Sequence, residues 1–145
     1  MTIPPSSRAQ SNGGGGAARQ ATVLLVEDDA GIASFITRAL SVLGLPREWV
    51  STGGAALEKV AQGGIATVIL DLGLPDMDGM EVLRTLRGRG SPLPVIVITA
   101  RNDPADREIA GELGVAGYLR KPFPLAELLS AVGRSVDAGT GQPPD

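Results

Sequence analysis

Ala66-Thr-Val-Ile-Leu-Asp-Leu-Gly-Leu-Pro-Asp-Met-Asp-Gly79 carries the turning point of this sequence. Its first five residues, Ala66–Leu70, form a short run of apolar and β-branched side chains that stops at an acid, Asp71. Such a run predicts a strand buried on both faces, as in a parallel sheet. After the loop the pattern changes, and a helix is predicted over Gly79–Arg87. The same strand-to-helix change recurs on either side. Strands are predicted over Thr22–Val26, Arg47–Val50, Pro94–Ile98 and Ala116–Leu119, and helices over Ala30–Leu43, Gly54–Gln62, Asp103–Leu113 and Leu125–Ser135. In the first helix Ile32, Phe35, Ile36, Ala39, Leu40 and Leu43 recur at spacings of three and four, which predicts one apolar face. Gly44, Gly63 and Gly114 stand where helices should stop, and Pro46 and Pro94 where strands should begin.

The order βαβαβαβαβα predicts an α/β domain with a doubly wound, five-stranded parallel sheet and helices on both faces. In such a sheet the reactive crevice lies beyond the carboxyl ends of the strands. Polar residues gather there. Glu27, Asp28 and Asp29 follow the first strand, Asp71 the third, Thr99 the fourth, and Lys121-Pro122 comes just after the fifth.

Composition narrows the chemistry. Of 145 residues 43% are hydrophobic and only 3% aromatic, so Val, Leu, Ile and Ala must build the core of a single domain. Residues 1–20 and 137–145, rich in Gly, Pro and Ser, read as disordered or flexible tails around a domain over 21–136. The net charge is -3 and basic residues are not clustered, which argues against direct nucleic-acid binding by this chain. No apolar run is long enough for a membrane span or a secretory signal, so a cytoplasmic protein is expected. The sequence has no Cys and no His. Thiolate chemistry, imidazole catalysis and His-ligated zinc are therefore excluded for these residues. Carboxylates, hydroxyls and lysine must carry any reaction.

Singly, each strand-end residue has an ordinary structural explanation: Asp29 as a helix cap, Thr99 as a strand-end hydroxyl, Lys121 as a solvated amine, Tyr118 as a strand aromatic. Jointly they are three clustered carboxylates, a hydroxyl and an ammonium. Oxygen ligands without nitrogen or sulfur suit a hard cation, with Mg²⁺ the best fit and Mn²⁺ an alternative. A phosphoryl oxygen could occupy an open position on that cation. A nucleotide-binding domain is disfavoured, because no Gly-rich loop follows the first strand and Gly13–Gly16 follows none.

Four stretches, Val23-Leu-Leu-Val-Glu-Asp-Asp29, Leu70-Asp-Leu-Gly-Leu-Pro-Asp-Met-Asp-Gly79, Ile98-Thr-Ala-Arg101 and Gly117-Tyr-Leu-Arg-Lys-Pro-Phe123, together resemble the receiver domain of bacterial two-component response regulators. The resemblance covers the whole folded part. It implies a flavodoxin-like (βα)5 fold with strand order 2-1-3-4-5. It implies Asp71 as phosphoacceptor, and Glu27, Asp28, Asp71 and the Gly73 carbonyl as metal ligands. Thr99, Ala100 and Lys121 would surround the phosphoryl group, Tyr118 would turn as Thr99 moves, and the Lys121–Pro122 peptide would be cis. Gly73 and Arg101 match positions that tune self-dephosphorylation. The partner would be a histidine kinase or phosphotransfer protein.

The sequence also departs from relatives that carry winged-helix domains. Those place acidic residues where this chain has Ala116 and Gly117, and the last helix here offers Ala131 and Gly133 before Arg134. A monomer or a weak phosphorylation-dependent dimer is therefore expected, from a single-domain regulator or the N-terminal part of a larger one. Two rival readings remain. One is an aspartyl-phosphate phosphatase, disfavoured because Gly73 occupies the place of its second acid. The other is a receiver-like binding module that takes no phosphate. Neither rival is favoured: the chain is read as a phosphoacceptor that assists its own modification, not as a turnover enzyme.

Overall fold

The apolar runs pair side by side, and the computed structural model describes this arrangement for residues 22–140, with side chains to residue 137. The strands are β1 (Thr22–Val26), β2 (Arg47–Val50), β3 (Ile65–Asp71), β4 (Val95–Thr99) and β5 (Gly117–Arg120). The helices are α1 (Ala30–Leu40), α2 (Gly53–Gln62), α3 (Gly79–Gly88), α4 (Pro104–Glu112) and α5 (Leu125–Thr140). All strand pairings are parallel and the order is β2-β1-β3-β4-β5, as expected. The tail expected over 1–20, and residues 141–145 of the tail expected over 137–145, lie outside the described residues.

Alternate side chains of the interior strands feed two cores. Val23, Leu25, Ile69, Ile96 and Ile98 pack with Ile36 and Leu40 of α1 and Leu128 and Val132 of α5. Leu24, Val26, Val68, Leu70, Val95 and Val97 face the other way, onto Ala56 of α2, Leu83 and Leu86 of α3 and Ala110 of α4. Each such fully buried Leu, Ile or Val contributes about 1.5–3 kcal/mol. The two edge strands are four residues each; β2 is mostly exposed and begins Arg47-Glu48 just after Pro46, and β5 ends in exposed Arg120.

Caps place the helices over the strand ends. Asp29 accepts from Ile32 N–H, Thr52 from Ala55, Asp78 from Met80 and Asp103 from Ala105. A second device is Arg87 at the end of α3. Its guanidinium donates to the carbonyls of Leu113 (2.7 Å), Ser91 (2.9 Å) and Leu93 (2.9 Å), tying α3 to the start of β4 and the end of α4.

Boundaries differ from the sequence reading in instructive places. Helix α1 stops at Leu40 and tightens into a 3₁₀ turn, Ser41–Leu43, closed where left-handed Gly44 (φ 68°) donates to the Ser41 carbonyl at 3.0 Å. Leu43 thereby leaves the apolar stripe and is 37% exposed. Phe35 is 51% exposed, because it lies about 100° round the helix from buried Ile36. Strand β4 begins after Pro94, whose carbonyl nonetheless accepts from Val68 N–H and the Thr67 hydroxyl. Strand β3 gains Ile65 and Asp71, and β5 is displaced by one residue to include Arg120. Helix α5 continues past the expected end at Ser135 and through 137–140, where a tail was expected, with Val136 still buried against the core.

Candidate functional site

Strand ends deliver the polar groups. Asp71 and Thr99 are the last residues of β3 and β4, Glu27 directly follows β1, and Lys121 directly follows β5. Parallel pairing in register brings these ends to one edge of the sheet. Carboxylate oxygens of Glu27, Asp28 and Asp71 all lie within 4.8 Å of one another. Glu27 and Asp71 are buried, while Asp28 is exposed. Lys121 Nζ reaches between the buried pair, 3.1 Å from Glu27 Oε1 and 3.3 Å from Asp71 Oδ2.

The electrostatics are those of a site short of positive charge. Burial pushes the Glu27 carboxyl up to about 7. The Asp29 N–H on Glu27 Oε2 opposes this, Asp71 adds to it, and Lys121 again opposes. Burial alone would lower the Lys121 ammonium, but the carboxylates of Asp71 and Glu27 outweigh it and hold Lys121 above its ordinary value. One lysine thus pairs with two of the three clustered acids, Glu27 and Asp71, and not with Asp28. Three oxygen ligands with no nitrogen or sulfur among them fit a hard divalent cation, with Asp28 facing solvent and its remaining positions free for water or an anion.

The backbone around Asp71 is tightly specified. Gly73 N–H donates to Asp71 Oδ1 at 3.0 Å. At Gly79 a Cβ would sit 2.4 Å from the Asp71 carbonyl oxygen and 2.6 Å from Leu72 Cα, so the loop can return against β3 only with glycine there. Asp76 caps α2 from this loop, accepting from Gly53 (2.8 Å) and Gly54 (3.0 Å). Those two N–H groups hold the Asp76 carboxyl below its ordinary value.

Across from Asp71, fully buried Thr99 accepts through its hydroxyl from Arg101 N–H at 2.9 Å, and its carbonyl accepts from Lys121 N–H at 2.8 Å. The Lys121–Pro122 peptide is cis, as the resemblance implied. Ala100 is exposed beside Thr99 and presents no bulk. Tyr118 is set apart from the carboxylates. It is partly buried, with Arg107 stacked 4.5 Å above its ring, and lines a cavity of about 310 Å³ together with Arg101, Asn102, Pro104 and Arg120.

Arg101 plays a part the sequence did not disclose. It forks onto Asp78 with bonds of 2.9 and 3.0 Å, and its Nε lies 3.2 Å from Asp106 Oδ2 in ion-pair contact without hydrogen-bond alignment. The guanidinium holds Asp78 below the usual carboxylate range. The loop that follows Thr99 is thereby tied to the cap of α3 and to α4. Trp49 was likewise passed over: its indole N–H donates to the Glu27 carbonyl at 2.6 Å.

Residues 23–133 match the family described as the response regulator receiver domain. Response regulator MprA of Mycobacterium leprae is 39% identical over 107 residues, covering 74% of this chain and 47% of that protein. MprA of Mycobacterium tuberculosis strain H37Rv is 39% identical over 106 residues, 73% of this chain and 46% of that protein. The chain spans about half the length of these curated relatives. Among solved structures, the non-phosphorylated HemR receiver domain of Leptospira biflexa superposes with a TM-score of 0.75 at 31% identity, covering 81% of this chain and 94% of that one. The BeF3-activated N-terminal receiver domain of Klebsiella pneumoniae RstA gives a TM-score of 0.73 at 28% identity, covering 79% and 97%. The fold, the strand-end acids and these matches agree: the chain belongs to the response regulator receiver domain family of two-component signalling systems.

Proposed function

We propose that this domain takes a phosphoryl group onto Asp71 from a phosphohistidine of a partner histidine kinase or phosphotransfer protein. The observation that carries the reading is the convergence, from four strand ends, of Asp71, the Glu27–Asp28 pair, Thr99 and Lys121. An Asp71 carboxylate oxygen attacks phosphorus, the phosphorus–nitrogen bond breaks, and the electron pair leaves with the imidazole. Lys121, already 3.3 Å from Asp71, offsets charge on the phosphoryl oxygens during this transfer. Mg²⁺ or Mn²⁺, held by Glu27, Asp28, Asp71 and the Gly73 carbonyl, would supply further charge compensation. The family resemblance supports this ligand set, and the acidic cluster fits it.

The phosphoryl group adds negative charge and acceptor oxygens beside the carboxyl ends of β3 and β4. The Thr99 hydroxyl turns toward it, Tyr118 moves into the space released, and the α4-β5-α5 surface changes shape. No side chain at Gly73 orients a water, and Arg101 is engaged by Asp78, so the phosphoaspartate decays slowly and the chain is a switch rather than a turnover enzyme. No helix among the described residues is long and apolar enough to cross a membrane. We place the reaction in the cytoplasm, where kinase phosphohistidines are made, with a protein rather than nucleic acid contacted by this domain, acting as a monomer or a weak phosphorylation-dependent dimer.

The test is incubation with acetyl phosphate and Mg²⁺, followed by intact mass, beside Asp71→Asn. A gain of one phosphoryl group that requires the cation and vanishes in the variant is expected. A wild-type protein that takes no phosphoryl group would sink the acceptor reading, and a phosphoryl half-life of seconds would contradict slow decay.

A further inference from the structure

The ladder between β1 and β2 ends where Glu27 N–H donates to the Val50 carbonyl at 3.1 Å. Beyond it the chain of β2 leaves for α2, and the Glu27 carbonyl takes its hydrogen bond from a side chain instead, the indole N–H of Trp49 at 2.6 Å. Trp49 belongs to neither apolar core and is 45% exposed, on an edge strand. Packing alone therefore does not account for a tryptophan there. Its neighbours Glu48 and Val50 face the opposite side of the sheet, Glu48 onto Lys59 at 2.8 Å and Val50 onto the second core.

What that bond holds is the segment that carries two acids of the cluster. Asp28 is exposed, and among the described residues none donates to its carboxylate. Its position is set by the main chain alone. On its far side that chain is anchored by Asp29, which caps α1 through Ile32 and donates its N–H to Glu27 Oε2. On its near side the anchor is the Glu27 main chain, its N–H held by the Val50 carbonyl and its C=O, part of the Glu27–Asp28 peptide, by the Trp49 indole. Without the indole, the Glu27–Asp28 peptide is free to rotate its carbonyl toward water, and the Asp28 carboxylate moves with it.

We propose that Trp49 is a positioning residue for divalent-cation binding, fixing the Glu27–Asp28 peptide so that Asp28 meets Glu27 and Asp71 around the ion. The inference rests on reading that cluster as a cation site. It predicts that removing the indole donor weakens Mg²⁺ binding about two- to tenfold, the worth of one net hydrogen bond.

Trp49 is the only tryptophan in the sequence, so the donor can be deleted without changing shape. Biosynthetic replacement by benzothienylalanine puts sulfur in place of the indole N–H, and Trp49→Phe provides a genetic counterpart. Mg²⁺ is titrated into each full-length protein while the backbone amide resonances of Asp28 and Gly73 are followed by NMR. Weaker binding by the folded isostere is the expected result, and a general loss of stability would not produce it in protein that remains folded. Equal affinities would overturn the proposal and leave the cation site intact. A wild-type protein whose Asp28 and Gly73 amides ignore Mg²⁺ would overturn both. Should either replacement fail to fold, the unmodified protein still decides. Its single indole N–H resonance must shift with the same midpoint as the Asp28 amide, and an indole signal unmoved at saturating Mg²⁺ refutes the role.

Discussion

Replacing Asp28 by Asn should make the metal-free protein more stable while disabling its cation site. The reasoning is electrostatic and can be followed step by step. Asp28 presents a carboxylate oxygen within 4.8 Å of those of Glu27 and Asp71, and no described residue donates to it in return. Lys121 is committed to the other two, at 3.1 and 3.3 Å. Two like charges at that separation repel by ~0.9 kcal/mol in a water-like dielectric and by ~3.5 kcal/mol at an effective dielectric of 20. Because Asp28 faces solvent, the lower figure governs for each of its two acidic neighbours, and more distant attraction by Lys121 removes part of their sum. The net gain for Asp28→Asn is about 1 kcal/mol at low ionic strength, or roughly 3–5 °C in Tm for a domain of this size. Salt should shrink it, since the screening length falls from about 10 Å at 0.1 M to about 3 Å at 1 M. Thermal unfolding followed by circular dichroism in chelator, at low and high salt, measures both effects. Adding Mg²⁺ should then reverse the ranking. At ten times the dissociation constant the wild type gains ~1.4 kcal/mol by mass action, and the variant little. An Asp28→Asn protein that is less stable than wild type in chelator, or whose advantage ignores salt, would refute the picture of mutually repelling acids.

Other consequences are open to direct measurement. Arg87→Met keeps the aliphatic stem but leaves four carbonyls, those of Leu113, Ser91, Leu93 and Gly114, without their charged donor, and should cost about 2–4 kcal/mol in urea unfolding with an unchanged m-value and unchanged Mg²⁺ affinity. Gly79→Ala forces a Cβ to within 2.4 Å of the Asp71 carbonyl oxygen; we expect a loss of about 3 kcal/mol or more and a failure to take beryllofluoride, read by fluorine NMR. For Asp76, whose carboxyl is held below its ordinary value by the N–H groups of Gly53 and Gly54, stability is contributed above the ordinary carboxylate value and lost as pH falls through the lower folded one. The urea midpoints of wild type and Asp76→Ala should therefore differ at pH 7 and converge in strong acid; a gap that persists or widens in acid would assign Asp76 some other role.

Interior strands were legible because burial on both faces leaves one plain pattern, the nearly continuous apolar and β-branched runs of β1, β3 and β4. The acids, hydroxyl and lysine were legible for a related reason: polar groups at the ends of such runs have nowhere to be but the sheet's rim. Helix faces were less so. Spacing put Phe35 and Leu43 with Ile36, but a sheet accepts only a narrow arc of α1, and a left-handed Gly44 tightened its last turn. Helix α5 outran its apparent end because packing of Val136 propagates a helix through residues that read as tail. The bonds of Trp49 to Glu27, Asp76 to Gly53 and Arg101 to Asp78 join positions 22 or 23 residues apart. Side-chain bonds between segments that far apart leave no periodic trace, so they came only from the folded chain.

The two short edge strands bear on how the protein lives among its neighbours. An open strand edge is a template on which another chain can add itself. On one side β2 offers only four residues, preceded by Pro46, which cannot donate, and studded with Arg47 and Glu48. On the other, β5 is equally brief and ends in exposed Arg120. A second copy that tried to extend the sheet would have to strip water from those charges for the sake of very few main-chain bonds. Both rims of the sheet are therefore poor templates for an added strand, and the parallel sheet ends where the chain ends it.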